Sequence, residues 1–194
     1  TRKKMWQRLR EGGLMEDAQP NAAHYTVVEL EKMGKLLSLV TQNVDNLHQK
    51  AGSSPALIRE LHGNMQRLVC LNCRESYPIA LVKEKYAGSD DVPACDYCRG
   101  ILKPDVIFFG EALPQQTLAQ AMREAEDCDL MIVIGSSLVV YPAAYVPVHA
   151  KQAGADLVII NKGETEQDHI ADVRIDAPAG DTMTKILNRL KAIG

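Results

Sequence analysis

The chain has 194 residues, a formal net charge of −3 and 46% hydrophobic residues. This length and composition suit one large domain, or one domain with a small insert, and supply ample material for a core. Acidic and basic residues are interspersed, which disfavours a general nucleic-acid or polyanion binder. No apolar run reaches the length of a membrane span and no signal peptide is visible, so we expect a soluble, cytoplasmic protein without a membrane partner.

Apolar periodicity predicts alternating helices and strands in the first part of the chain. Gly12-Gly13 is expected to close the first helix, Pro20-Asn21 to open the second and Gly34 to end it. In chain order, the predicted elements are a helix over residues 1–11, a helix over 22–33, a strand over 36–40, a short helix over 45–50 and a strand over 56–61.

Residues 64–102 differ in composition from the flanking sequence, because they are polar, carry cysteines and are interrupted by proline and glycine. They predict a small inserted module. The elements predicted after it are a strand over 106–109, a helix over 114–127, a strand over 129–135 buried on both faces, a helix over 142–153, a strand over 157–160, a weak strand over 173–175 and a helix over 181–192.

Alternation of strands and helices predicts an α/β fold with a Rossmann-like, mostly parallel sheet and helices on both faces. We expect this larger domain to span residues 1–63 and 103–194. The module of residues 64–102 would be a small zinc ribbon inserted into it.

Four of the five cysteines form two C-x-x-C pairs, Cys70 with Cys73 and Cys95 with Cys98. Each such turn offers two thiolates, and four thiolates complete a tetrahedral Zn²⁺ site with no open position, so the zinc would be structural. Four unrelated buried cysteines, a redox pair and a nucleic-acid-binding zinc ribbon are the alternatives. The balanced charges of the module disfavour the last, and Cys128 stands alone as an expected core residue.

Polar or small residues follow three predicted strands, at residues 41–45, residues 135–137 and Asn161. In an open parallel sheet, ligands bind beyond the carboxyl ends of the strands. Glycine and two hydroxyls at 135–137 suit the close approach of a sugar or phosphate, although a plain strand-to-helix turn explains them equally well. The three strand ends together favour a nucleotide crevice.

His62 lies at a further strand end, just before Gly63. A single histidine in such a place is often structural. Because its unperturbed pKa is about 6.5, and because an Asn-x-Asp strand end precedes it in the chain, it is also a candidate general base.

Taken in order, these segments resemble the sirtuins, the NAD-dependent protein lysine deacylases. The resemblance covers almost the whole chain, and the paired C-x-x-C turns lie where the family carries its zinc module. The segments that carry it are PNAAH (20–24), TQNVDNLH (41–48), ELHG (60–63), KPDVIFFGE (103–111), GSSLVVYPAA (135–144) and the strand end IN (160–161).

The resemblance implies NAD and structural Zn²⁺ as cofactors. It implies His62 as general base on the ribose, with Asn43 and Asp45 as its catalytic partners. The acyl oxygen of the modified lysine would attack C1′ as nicotinamide leaves, and the acyl group would end on ADP-ribose. The NAD-binding residues that it implies are Gln42, Asn43, Val44, Asp45, Gly135, Ser136, Ser137, Asn161, Lys162, Gly163 and Ala179.

The partner that it implies is an acetylated lysine-containing protein or peptide, bound as an added β-strand between two chain segments. The acyl-lysine would enter an apolar tunnel, although the apolar run at 107–109 also suits an ordinary core. The family's Tyr-x-x-Arg pair for acidic acyl groups aligns with Trp6 and Leu9, which favours a neutral acyl group. The residues implied for the peptide are Val106, Ile107, Phe108, Phe109, Gly110, Glu111, Val139, Val140 and Tyr141.

One departure concerns the family's first strand and its glycine-rich GAG-x-S loop, which have no counterpart in this sequence. We therefore expect this sequence to be an incomplete account of the natural protein. The alternative functions are a catalytically silent module that binds acyl-lysine peptides and a mono-ADP-ribosyltransferase.

Overall fold

A computed structural model describes residues 2–11, 17–89 and 91–193 of the chain. The predicted helix stop at Gly12-Gly13 lies outside these residues. The chain divides into two compact units. The first comprises Thr1–Gln19, Asn43–Asn46 and His62–Ala112, and the second comprises Pro20–Gln42, Leu47–Leu61 and Leu113–Gly194.

The secondary structure alternates between helices and short strands. The helices are α1 (Arg2–Arg10), α2 (Ala22–Lys32), α3 (Leu47–Ala51), α4 (Ile79–Lys85), α5 (Gln115–Glu126), α6 (Tyr145–Ala153) and α7 (Ala179–Ile193). The strands are β1 (Leu39–Thr41), β2 (Ile58–Glu60), β3 (Gly63–Cys70), β4 (Ser76–Pro78), β5 (Leu102–Val106), β6 (Leu130–Ile134), β7 (Asp156–Ile160) and β8 (Val173–Ile175). Short 3₁₀ turns span Pro55–Leu57 and Asp168–Ile170.

The first unit is built on an antiparallel sheet of three strands in the order β4-β3-β5. Its core joins α1, through Trp6 and Leu9, to Leu68 of β3 and Leu102 of β5. The predicted module of residues 64–102 lies within this unit.

The strand predicted over residues 106–109 is wrong. β5 ends at Val106, and the next residues form a turn in which the Glu111 N–H donates to the Phe108 carbonyl (2.9 Å). The Glu111 carboxylate accepts the Phe108 N–H at 3.0 Å. These bonds use the backbone groups that a continued strand would need, and the Phe109 side chain is left fully exposed.

The second unit contains two parallel sheets. β1 pairs with β2, Leu39 opposite Ile58, while β6, β7 and β8 form the other sheet. The predicted mixed α/β class with parallel strands is confirmed. The expected single sheet is not, because β1 and β6 each pair on one side only among the described residues. Beyond their carboxyl ends, Gln42 Nε2 lies 3.5 Å from Ser136 Oγ.

The strands of the larger sheet differ in how much of each is exposed to solvent. Central β7 holds Leu157, Ile159 and Ile160 without solvent exposure. β6 was expected to be buried on both faces, but only Val133 is buried in it and Leu130 is half-exposed. Among the residues that the structure describes, β6 pairs only with β7, whereas β7 is covered by a strand on each side.

Helix ends in the second unit follow the predicted signals. Asn21 caps α2, with its Oδ1 accepting the Ala23 N–H at 2.9 Å, and Gly34 follows with φ +67°. Gly154 ends α6 with φ +104°. Cys128, expected in the core, is only partly buried and donates its Sγ–H to the Ala125 carbonyl.

A mostly buried ion pair joins β2 to α5. Arg59 Nε lies 2.9 Å from one carboxylate oxygen of Glu124, and Ser38 Oγ donates to the same oxygen at 2.6 Å. Burial alone would raise the pKa of Glu124, but the hydrogen bonds from Arg59 and Ser38 outweigh it and lower the pKa.

Replacing Arg59 by leucine is expected to destabilise the protein by about 3 kcal/mol, because it leaves a buried carboxylate unpaired. Urea unfolding measures the change, with Arg123→Leu, an exposed position on α5, as the control. Since the folded pKa of Glu124 is depressed, its contribution is present above the unfolded pKa of about 4.3 and is lost as pH falls through the folded value. Equal stabilities of the two variants at pH 7 would contradict a role for the pair.

Candidate active site and metal centre

His62 lies in the first unit, directly before β3. Its carbonyl accepts the Ile107 N–H at 3.0 Å, which fixes the histidine beside the residue that follows β5. The side chain is half-buried, so a ligand can reach it.

Gly63 explains why the chain can turn so tightly after His62. Its φ is +79°, and a Cβ built on it would lie 1.9 Å from the Asp105 carbonyl oxygen. Only glycine tolerates both the left-handed conformation and this approach. The pairing of Gly63 with Val106 therefore holds His62 against the end of β5.

The polar residues 43–46 lie in the same unit as His62, at the amino end of β3. The Val44 carbonyl accepts the Met65 N–H at 2.9 Å. Asn64, 1% exposed, donates its Nδ2 to Asn46 Oδ1 at 2.9 Å and accepts the Gln66 N–H at 2.8 Å. Main-chain and amide bonds thus hold the strand end that contains Asn43 and Asp45 beside β3.

The peptide residues predicted in the first unit form a braced turn. Val106 closes β5, Ile107 bonds to His62, and Phe108, Phe109, Gly110 and Glu111 are exposed. Lys103 Nζ bonds to Glu111 and lies 4.6 Å from the centre of the Phe108 ring. The Lys103 ammonium and the Phe108 N–H lower the pKa of Glu111, so its carboxylate stays ionised.

In the second unit, the strand end after β6 is a glycine turn. Gly135 has φ +64°, and its N–H donates to the Ile160 carbonyl at 2.8 Å. Ser136 Oγ accepts the Leu138 N–H at 3.2 Å, and the Ser137 carbonyl accepts the Glu166 N–H at 3.3 Å. Gln42 reaches this turn through Ser136, so two of the predicted strand ends meet.

The third strand end, after β7, folds back on itself. Asn161 Nδ2 donates to the carbonyls of Lys162 (3.3 Å) and Gly163 (3.1 Å). The Gly163 N–H donates to Asp176 Oδ1 at 3.0 Å. Ala179, the first residue of α7, packs against the core formed by Ala23, Ile160 and Met183.

The remaining predicted peptide residues, Val139, Val140 and Tyr141, are exposed in the second unit. Tyr141 is held by a hydroxyl contact to Glu166 and packs edge-on against Tyr145, with ring centres 4.7 Å apart.

Sequence reasoning missed several residues that support these segments: Asn46, Asn64, Glu166, Asp168 and Arg174. Most of their partners are distant in the chain, as for Tyr141 and Glu166, which are 25 residues apart. The T-x-x-D spacing of residues 165–168 was the one local signal, since a threonine or aspartate side chain often caps such a turn.

The four predicted zinc ligands form one cysteine cluster, Cys70, Cys73, Cys95 and Cys98, with all Sγ atoms within 4.8 Å of one another. The Sγ atoms of Cys70 and Cys98 are 3.5 Å apart, as are those of Cys73 and Cys95. Tetrahedral Zn²⁺ at about 2.3 Å from each sulfur needs sulfurs about 3.8 Å apart, so the cluster fits the ion. A Cβ on Gly100 would lie 2.8 Å from Cys70 Sγ, which leaves glycine as the residue that fits there.

The electrostatics of the cysteine cluster favour a bound cation. Burial raises the pKa of Cys95, but hydrogen bonds, above all from the Tyr77 hydroxyl, outweigh it and bring the pKa to about 6. The Glu75 backbone lowers the pKa of Cys73, but burial and the three neighbouring thiols raise it to about 12. The neighbouring thiols thus oppose ionisation of all four sulfurs together, and Zn²⁺ bound by all four cysteines would supply the compensating positive charge and crosslink the unit.

No helix in the described part of the chain is both long and apolar enough to cross a membrane.

Several curated proteins are similar in sequence to this chain. A curated relative from Archaeoglobus fulgidus, NAD-dependent protein deacylase 2, is 47% identical over 177 residues, which are 91% of this chain and 69% of the relative. NAD-dependent protein deacetylase 1 of Pyrobaculum aerophilum is 46% identical, over 91% of this chain and 68% of its own length.

Solved structures show the same likeness. One described as "Sir2-p53 peptide-NAD+" superposes with a TM-score of 0.87 at 39% identity, covering 98% of this chain and 78% of that one. Another, "Sir2 bound to acetylated peptide", has a TM-score of 0.88 at 38% identity, covering 97% and 79%. The family model described as "Sir2 family" matches residues 1–142. The chain therefore belongs to the Sir2 family of NAD-dependent protein deacetylases and deacylases, the sirtuins.

Proposed function

We propose that this protein transfers the acetyl group of acetyl-lysine to ADP-ribose, releasing nicotinamide from NAD and free lysine from the peptide. One observation carries the assignment within the fold. The Ile107 N–H bonds to the His62 carbonyl, which joins the candidate base to one of the predicted peptide-binding residues.

For NAD, we propose two groups of residues. Residues 42–45 would hold the nicotinamide ribose, with Asn43 and Asp45 nearest the reacting carbon. Residues 135–137, residues 161–163 and Ala179 would hold the adenosine end. The support is that Gly135 and Gly163, which follow β6 and β7, are exposed glycines with positive φ, so no side chain blocks the approach of a ligand there.

His62 would act as general base on a ribose hydroxyl. The acyl oxygen attacks C1′ and the C1′–nicotinamide bond breaks. His62 then takes a proton from the hydroxyl, whose oxygen attacks the acyl carbon, and water completes the release of lysine. Positive charge develops on the ribose as nicotinamide leaves, so a carboxylate such as Asp45 would stabilise the transition state.

For the peptide, residues 106–111 and 139–141 would each supply an edge. Peptide addition to such edges gives affinity through main-chain hydrogen bonds, with little sequence preference. The support is that the Glu111 carboxylate, bonded to Lys103 and to the Phe108 N–H, holds the turn at 108–111 through contacts within the protein itself. Trp6 and Leu9 pack in the core of the first unit with Leu68 and Leu102, so the proposed preference for a neutral acyl group rests on the sequence resemblance.

The proposal is tested by nicotinamide release from NAD with three lysine peptides: acetylated, succinylated and unmodified. Release is expected with the acetylated peptide, together with free lysine and an acetylated ADP-ribose in equal amounts by mass spectrometry. The unmodified peptide is the control and should give no release. Succinyl-lysine should react at least about tenfold more slowly, since an apolar tunnel gives the succinyl carboxylate no cationic partner.

The other outcomes identify the alternatives. Tight binding of the acetylated peptide without nicotinamide release would point to a binding module. ADP-ribose attached to a protein, with the acetyl group retained on lysine, would point to a mono-ADP-ribosyltransferase.

A further inference from the structure

Residues 161–170, here called the 161–170 loop, connect β7 towards β8 and carry two anchoring carboxylates. The first is Asp168. Thr165 Oγ1 donates to Asp168 Oδ1 at 2.6 Å, and Arg174 Nε donates to the same oxygen at 2.9 Å. Arg174 Nη1 continues to the Asn161 carbonyl at 2.9 Å. Asp168 therefore braces the part of the loop proposed to hold the adenosine end of NAD.

The second anchoring carboxylate is Glu166, which contacts another segment of the chain. The Tyr141 hydroxyl donates to Glu166 Oε2 at 3.0 Å, and Gln167 Nε2 donates to the Tyr141 oxygen at 3.3 Å. The Glu166 N–H donates to the Ser137 carbonyl at 3.3 Å. Three contacts thus join adjacent loop residues to the segment of residues 137–141.

Burial and charge both indicate that these contacts hold Tyr141 in a defined position. Gln167 is 7% exposed, and a buried amide needs a hydrogen-bond partner, which the Tyr141 hydroxyl provides. The Glu166 carboxylate raises the pKa of Tyr141, so the hydroxyl remains a donor throughout the physiological range. The phenol then both donates and accepts, and its ring position is defined from two sides.

We propose that Glu166 and Gln167 are positioning residues for the peptide-binding segment, acting through Tyr141, whereas Asp168 positions the NAD-binding strand end. The loop would serve the two substrates through separate carboxylates. This inference rests on the proposed function, because it assumes that residues 139–141 meet the peptide and residues 161–163 meet NAD.

The proposed roles predict that loss of each carboxylate raises the KM of a different substrate. Glu166→Ala should raise KM for the acetylated peptide about three- to tenfold, the effect of one lost hydrogen bond of moderate strength, and leave KM for NAD unchanged. Asp168→Asn should raise KM for NAD by a similar factor and leave KM for the peptide unchanged. Steady-state kinetics with each substrate varied in turn gives all four values.

Three further variants sharpen the test. Glu164→Ala removes an exposed carboxylate from the same loop and should change neither KM. Glu166→Gln keeps an oxygen that accepts from Tyr141 and should restore most of the peptide affinity. Tyr141→Phe combined with Glu166→Ala should be no worse than Tyr141→Phe alone, since loss of the hydroxyl already removes the contact to Glu166.

Binding of a fluorescent acetylated peptide, followed by anisotropy, is measured in parallel and does not require turnover. If the parent protein binds this peptide but releases no nicotinamide, the proposed function fails, while the effect of Glu166→Ala on the Kd still decides the inference. Should Asp168→Asn melt at a markedly lower temperature, Arg174→Lys replaces it, because Arg174 bonds to Asp168 and to the Asn161 carbonyl. Equal effects of Glu166→Ala on both substrates, or on neither, would overturn the division of roles.

Discussion

A His62→Ala variant is expected to lose deacetylation by about 10²- to 10⁴-fold while keeping its fold, because the imidazole supplies general-base catalysis. The histidine carbonyl, which accepts from Ile107, is a backbone group and survives the substitution. Initial rates of lysine release at saturating peptide and NAD measure the loss, and circular dichroism checks the fold.

His169→Ala is the matched control, since His169 is exposed in the second unit and should leave the rate unchanged. The proposed order of steps adds a sharper readout. Nicotinamide leaves before His62 acts, so exchange of labelled nicotinamide into NAD should fall less than lysine release. A near-normal rate of lysine release in His62→Ala would remove His62 as the base.

A Cys95→Ser variant is expected to lose zinc and, with it, the stability of the first unit. Structural zinc sites of this kind contribute about 10–16 kcal/mol of binding free energy that is coupled to folding. Serine offers no thiolate, and the three remaining sulfurs would leave the ion an open position. Metal analysis should find about one zinc per chain in the parent and far less in the variant.

Hydrogen exchange measured by mass spectrometry distinguishes a local from a global effect in this variant. Amides of β3 and β5 are expected to lose protection, because these strands share a core with Cys70 and Cys95. Cys128→Ser is the control, as Cys128 lies in the second unit and outside the cysteine cluster. A stable, zinc-free Cys95→Ser protein with normal activity would show that the metal is not structural.

Local signals predicted the parts of the fold that local interactions decide. The asparagine cap at Asn21 and the left-handed glycines at Gly34 and Gly154 act on their own helix ends, so their sequence context is sufficient. The spacing of the cysteines predicted the cluster for a similar reason, since each C-x-x-C turn presents two thiolates by itself.

The misses depend on side-chain partners that apolar periodicity does not reveal, some of them close in the chain and others distant. Residues 106–109 have the composition of a strand, but Lys103 and the Glu111 carboxylate stabilise a turn instead. The carboxyl ends of the strands were identified from their polar residues. The groups that support them, such as Asn64 for Asn46 and Arg174 for Asn161, become visible only when the chain is folded.

Gly63 affects how mutational scans of this site should be interpreted. It has no functional group, yet a methyl group there would collide with the Asp105 carbonyl and displace its neighbour His62 from the end of β5. In a saturation scan selected for activity, position 63 would therefore look as intolerant as a catalytic residue. Intolerance at position 62 would arise from the chemistry of the imidazole. Intolerance at position 63 would arise from the lack of room for any side chain.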